Sequence, residues 1–212
     1  MYSSLPYFVL GFHGCDRTAG EDILAGKKRT RFSNNDYDWL GHGFYFWENS
    51  PTRALKYAEQ VKDGLAPATQ KIHEPFVVGA VIDLGNCLCL LDEKSLQVVS
   101  EAYALLEATT TKAGGALPKN GSFVEGTPLY RPLDCAVIET LHQSIRQYNA
   151  TAAAGKRRRE YDSVRGLFPE GEPLYTGAGF RLKDHIQICV RNPNCIKGFF
   201  RVLNEDVDYE IP

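Results

Sequence analysis

The stretch from Gly41 to Ala58 constrains this chain more than any other segment. Gly41-His42-Gly43 is turn chemistry, Phe44-Tyr45-Phe46-Trp47 is an unbroken aromatic run, and Ser50-Pro51 is a helix start. Stiff, flat side chains pack well on a pleated surface, so the aromatic run predicts a strand. Ser at the N-cap and Pro at the first helical position are preorganised for the helix that follows. Ala54, Ala58 and Val61 then recur at helical spacing. A turn, a strand and a capped helix in direct succession require a sheet with a helix laid back on it.

The rest of the chain supplies matching parts. Phe8-Val9-Leu10-Gly11-Phe12 reads as a short buried strand leading into His13-Gly14. Thr18-Ala19-Gly20-Glu21 fits a capping box, and Gly26 suits the end of that helix. Residues 27–40 are polar and turn-rich. Phe76 to Leu84 reads as a buried strand, while Leu96, Val99, Tyr103 and Leu106, then Ile138, Leu141, Ile145 and Tyr148, mark two more helices. Thr151 to Arg159 reads as a surface loop. Val164–Phe168, Ile186–Val190 and Ile196–Val202 read as strands. Strands at both ends with helices early and mid-chain predict an α+β fold with a mixed or largely antiparallel sheet. No repeat or linker divides the chain, so a single domain over residues 1–212 is expected.

Composition narrows the function classes. The 24 Lys and Arg against 26 Asp and Glu give a net charge of -2, which excludes a binder that is basic over its whole surface. No apolar run approaches the ~20 residues that span a bilayer, and the first residues lack a signal-peptide pattern. The six cysteines, Cys15, Cys87, Cys89, Cys135, Cys189 and Cys195, form no CxxC pair and sit mostly in apolar segments. Buried free thiols in a reducing cytoplasm are the expectation. Cys87-x-Cys89 has strand spacing, with both thiols on one face.

Read physically, His13 stands beside a glycine whose backbone a ligand can approach closely, and the Gly41–Ala58 segment adds aromatic walls and Tyr57. Such a cleft suits a planar ring bearing an amide. With these residues in place, the chain resembles the diphtheria-toxin-like and poly(ADP-ribose)-polymerase-like ADP-ribosyltransferases. In that family a strand ends in His-Gly, and a Gly-x-Gly-[Ile/Phe]-Tyr-Phe strand leads into a Ser-x-x-x-Ala-x-x-Tyr helix, a spacing that Ser50, Ala54 and Tyr57 match. The resemblance implies a split sheet with NAD bound in the cleft between its halves. His13 would bond a ribose hydroxyl, Gly14 would hold the nicotinamide amide, Tyr45 would stack on the ring and Tyr57 would cover its other face, with Ser50 at the same cofactor site. The implied chemistry is loss of nicotinamide from NAD through an oxocarbenium-like transition state, followed by attack at the ribose C1′, with no metal required.

The third motif departs from the family. Many members place a Glu at the start of a late strand, and Lys183-Asp184-His185-Ile186-Gln187-Ile188-Cys189-Val190 contains none. His185 and Gln187 alternate onto one face, with Ile186, Ile188 and Val190 on the other. Gln187 is the first choice for the Glu position, and His185, also counted with the cofactor site, or Asp184 are the fallbacks. A Gln bonds a hydroxyl but is no base at neutral pH, which favours mono-transfer over polymer growth. The segment from Tyr161 to Phe180 reads either as a solvent loop or as an acceptor-facing loop in which Asp162, Arg165 and Glu172 touch the target or the NAD phosphates. Lys156-Arg157-Arg158-Arg159 reads either as a solvated run or as a phosphate tracker. The resulting expectation is a stand-alone, cytoplasmic, toxin-type mono-ADP-ribosyltransferase acting on RNA or DNA, with an antitoxin protein as a possible partner and no membrane. The alternatives are a protein acceptor, a silent NAD or ADP-ribose-binding module, and a glycohydrolase with water as acceptor.

Overall fold

The computed structural model describes residues 8–28, 30–66, 71–121 and 130–203. Among them, seven strands form one sheet: β1 (Phe8–Asp16), β2 (Phe44–Glu48), β3 (Pro75–Asp83), β4 (Cys87–Cys89), β5 (Ser163–Phe168), β6 (His185–Val190) and β7 (Ile196–Arg201). Their spatial order is β4-β5-β6-β2-β1-β3-β7. β4 and β5 run parallel and the other pairs antiparallel, so the sheet is mixed and the α+β class holds. The helices are α1 (Arg17–Leu24), α2 (Pro51–Lys62), α3 (Glu93–Lys112) and α4 (Pro132–Thr151).

Residues directly opposite each other on neighbouring strands point to the same side, so the pairing sorts the two faces. Phe12 opposite Trp47, and Tyr45 opposite Cys189, lie on the helical face. There α2 packs on Phe12, Trp47 and Val77 through Ala54. Further along, α3 and α4 cover Leu88, Val164 and Cys189 through Ala102, Val137, Ile138, Leu141 and Ile145. On the other face, Phe44 and Phe46 of β2, Ile188 and Val190 of β6, and Ala80 and Ile82 of β3 share one cluster. Gly11 of β1 lies between them, and a β-carbon there would meet Ile82 and Phe46. Side chains from both flanks therefore close over Gly11. Phe46 and Ile188 are fully buried, each contributing about 1.5–3 kcal/mol by burial.

The structure adds local detail to the sequence reading. The cap of α1 is Asp16, whose carboxylate accepts from the Thr18 N–H, so the helix begins at Arg17 rather than after Thr18. Gly26 does follow the helix end, at φ +70°. In α3, Ala102 is the buried residue and Leu96 stays half exposed. Tyr148 of α4 is also exposed, with the Arg158 guanidinium 4.6 Å from its ring centre. β1 runs on past Phe12 to Asp16 because β3 pairs along its whole length. All six thiols are free, and burial pushes Cys15 and Cys135 up to about 12 and Cys87 and Cys195 up to about 11. Among the described residues no helix is long and apolar enough to cross a membrane.

Candidate functional site

The three segments singled out by sequence lie on adjacent strands, β1, β2 and β6. His13 ends the regular pairing of β1 with β2, which is limited to Gly11↔Glu48 and Phe12↔Trp47. The Asn49 N–H donates to the Leu10 carbonyl at 2.9 Å, so even-numbered residues of β1 direct their backbone groups toward β2. A continued ladder would aim the Gly14 N–H at the Tyr45 carbonyl. That carbonyl instead lies 3.0 Å from Nδ1 of His13. A carbonyl only accepts, so Nδ1 carries the proton. Burial holds the His13 pKa below its ordinary value, with the backbone bond working against that shift. The neutral ring therefore presents an Nε2 lone pair, which takes no hydrogen bond from the described residues. On the helical side α2 sits directly on Gly14, where a β-carbon would run into the Ala54 carbonyl oxygen.

Tyr45 leaves its strand on the opposite face from His13. Its hydroxyl donates to the Gly41 carbonyl at 2.8 Å and accepts from the Leu40 N–H at 3.0 Å. Burial keeps this phenol far above its usual pKa, hence protonated. Gly41 adopts φ +79°, a left-handed geometry suited to glycine at this tight turn. The ring facing Tyr57 is that of Trp47, 5.0 Å away and tilted by 41°, so the expected Tyr45–Tyr57 sandwich is a Trp47–Tyr57 pair here. From Trp47 the aromatic strip continues to His185 (6.1 Å), Phe168 (5.4 Å) and Trp39 (5.3 Å). The Arg131 guanidinium lies over Trp39 and Phe168, at 4.9 and 4.5 Å from their ring centres.

His185 and Gln187 share the helical face, as the alternation predicts. His185 Nδ1 donates to the Lys183 carbonyl at 2.6 Å, and its Nε2 lies 3.1 Å from the Gln187 amide nitrogen. Burial lowers the pKa of this imidazole too. Gln187 is occupied on both ends, because its carbonyl accepts from Trp39 Nε1 at 2.7 Å. It therefore positions Trp39 and His185. Asp184 caps the backbone N–H groups of Glu170 and Arg181 and stays in the loop. Ser50 sits at the start of α2 without a capping bond from its side chain.

Sequence reasoning missed Trp47, Arg53 and Glu170. The Arg53 guanidinium of α2 is ion-paired with the Glu170 carboxylate beyond β5, and Glu170 lies 3.9 Å from His185 Nδ1. Trp47 was within reach, since strand alternation places it beside Tyr45. The pairing of Arg53 with Glu170 had no local signal.

Other expected contacts lie elsewhere. Arg165 holds Glu48 with two bonds, of 2.5 and 2.9 Å, on the face opposite the aromatic strip. Asp162 ties Asn86 and Asn192 together at 2.8 Å each. Glu172 is exposed. Residues 169–184 form a hairpin flap held by bonds such as Leu174 N–H to the Phe180 carbonyl, with Leu174, Tyr175, Phe180 and Leu182 exposed. The basic run precedes β5 and the flap follows it, at opposite ends of a six-residue strand that is about 20 Å long at about 3.3 Å per residue. Cavities of about 460 and 360 Å³ flank Tyr161, the first also lined by Arg158 and Arg159, and neither is lined by the aromatic strip. Among the described residues no cluster of His, Cys, Asp and Glu is arranged to hold a metal ion. Compared with protein-family models, curated proteins and solved structures, the chain gives no match.

Proposed function

We propose that the chain is a mono-ADP-ribosyltransferase that takes NAD as co-substrate and releases nicotinamide. The observation that carries this reading is the open seam between β1 and β2, where His13 has taken the Tyr45 carbonyl and the Gly14 N–H is left unladdered. A planar carboxamide needs a fixed backbone donor beside a flat wall, and the seam lies next to the Trp47–Tyr57 pair. In this reading Gly14 holds the amide, Trp47 and Tyr57 flank the ring, and Tyr45 and Ser50 shape its border. Nε2 of His13 accepts from a ribose hydroxyl on the other side of the seam, while His185 and Gln187 stand along the helical-face wall. The C1′–nitrogen bond breaks and its electron pair leaves with nicotinamide. An acceptor nucleophile then forms the new bond to C1′ and releases its proton to solvent. Positioning supplies most of the rate, and Gln187 is no base, which favours a single transfer.

The role that fits is a cytoplasmic, toxin-type effector whose cleft an antitoxin protein covers, with RNA or DNA as acceptor on the strength of the basic run. A second reading, a protein acceptor, is favoured by the apolar flap, which follows β5 directly while the basic run lies at the strand's other end. The test combines purified protein, radiolabelled NAD and separate pools of RNA, DNA and cellular protein. Nicotinamide release should fall about 100-fold in His13→Ala, the range for removing one aligned polar group from a site. Label on nucleic acid or on protein chooses the acceptor, and free ADP-ribose alone identifies a glycohydrolase. NAD binding without nicotinamide release would overturn the enzyme reading in favour of a binding module.

A further inference from the structure

The larger cavity, of about 460 Å³, lies between α3 and α4, and its origin is visible in the residues that face it. Val98, Ala102 and Leu105 of α3 recur at helical spacing, as do Leu141, Ser144 and Ile145 of α4, and all of them line it. Both helices pack on the same core, but Ala102 and Ser144 are small side chains and leave a gap between the two. The Ser144 hydroxyl donates to the Leu141 carbonyl of its own helix at 2.8 Å, so this wall is apolar in effect. The volume falls in the range of pockets that enclose small organic ligands.

The remaining wall is a strap that includes Arg158, Arg159 and Tyr161, and it is pinned in place. The Asn149 side chain near the end of α4 accepts from the Arg158 N–H and donates to the Arg158 carbonyl, at 2.8 Å each. Asn86 ties down the other end, donating to the Glu160 carbonyl at 2.8 Å and accepting from the Asp162 N–H at 2.9 Å. The Arg158 guanidinium is thereby set over Tyr148, 4.6 Å from its ring centre, one turn beyond Ser144 and Ile145 on α4. A guanidinium carries five N–H donors, and a ring offers it no oxygen acceptor. Among the described residues the Arg158 side chain has no hydrogen-bond acceptor and no ion-pair partner. Arg159 lines the same cavity, with its Nη2 3.5 Å from Asp162. The acid among the lining residues is Glu101 of α3, which is exposed and makes no ion pair with either arginine among the described residues.

We propose that this groove binds a small carboxylic acid with an aliphatic body, which lies between α3 and α4 and gives its carboxylate to Arg158. The two oxygens of a carboxylate match the paired donors of a guanidinium, and the apolar walls take the body of the ligand. Arg159 is the second cation at the same edge. The site lies apart from the aromatic strip and does not depend on the transferase reading.

The probes are hexanoate, octanoate and decanoate, titrated calorimetrically at low salt into the full chain. Affinity should rise about fourfold for each methylene buried between hexanoate and octanoate. Octanol keeps the chain, loses the charge and should bind about tenfold more weakly than octanoate. Arg158→Gln should weaken octanoate binding about tenfold, the range for a hydrogen bond to a charged group. Glu101→Gln, which removes the like charge, should tighten it. Ser144→Leu fills the groove and should abolish binding, with the urea midpoint held or raised. If that variant does not fold, Leu105→Ala, at a position 43% exposed, must weaken octanoate in its place. Equal octanoate affinity in wild type and Arg158→Gln overturns the proposal. So does unchanged binding in the folded groove variant, or the absence of binding by all three acids.

Discussion

At the scale of single residues, burial decides most of the chemistry. His142 of α4 is 4% exposed, its Nε2 has no partner, and its pKa is lowered to about 3, first by desolvation and then by Arg191, with Glu139 opposing. The folded pKa lies below the unfolded value, so as pH falls the unfolded chain binds the proton first. Stability contributed this way is present above about pH 6.5 and is lost as pH falls toward 3, at up to about 1.4 kcal/mol per pH unit. His13 and His185 shift in the same direction and steepen the loss. Urea melts between pH 7 and 4 should show this slope, and it should flatten in His142→Gln. Gly14→Ala pushes a methyl into the Ala54 carbonyl and should cost about 1–3 kcal/mol. Gly155→Ala, with open space around it, should stay within about 0.5 kcal/mol in the same melts. His13, Tyr45, His185 and Gln187 were legible as residues because each stands at a fixed offset within a strand. Arg53 and Glu170 were not, because their meeting depends on the fold closing over a long stretch of chain.

At the scale of elements, periodicity was a good guide and the ends were not. The aromatic strand, α2 and the late strands follow directly from side-chain spacing. The start of α1 was misjudged because Asp16 serves two ends at once: it caps the Thr18 N–H and accepts from the backbone N–H groups of His73 and Glu74. The cap of α4 is also supplied at a distance. Asn120 accepts from the Leu133 and Asp134 N–H groups at 2.9 and 3.4 Å, while Arg131 at the N-cap gives no such bond. Asn120→Ala should lower stability by about 1 kcal/mol, measured as a shift in the urea midpoint. Leu96 marks the apolar stripe of α3 yet stays half exposed, while Val99, Tyr103 and Leu106 of the same stripe pack against the core.

At the scale of the whole molecule, strand order was the part sequence left unwritten. Pairing β4 parallel to β5, and inserting β1 between β2 and β3, are long-range choices that no local pattern specifies. The same order separates the basic run from the flap. Replacing Lys156, Arg157, Arg158 and Arg159 together by Ala should therefore leave nicotinamide release unchanged. A loss of nucleic-acid affinity in that variant would assign the run to acceptor capture alone. β1 has nine pairings with β3 and two with β2, so it belongs mechanically to the β3 side. Hydrogen exchange along this strand should alternate: the amides of His13 and Cys15, directed at β3, exchange slowly, while that of Gly14, directed at the seam, exchanges orders of magnitude faster. One strand then carries two clocks, and the fast one keeps time at the glycine beside which a ligand would have to settle.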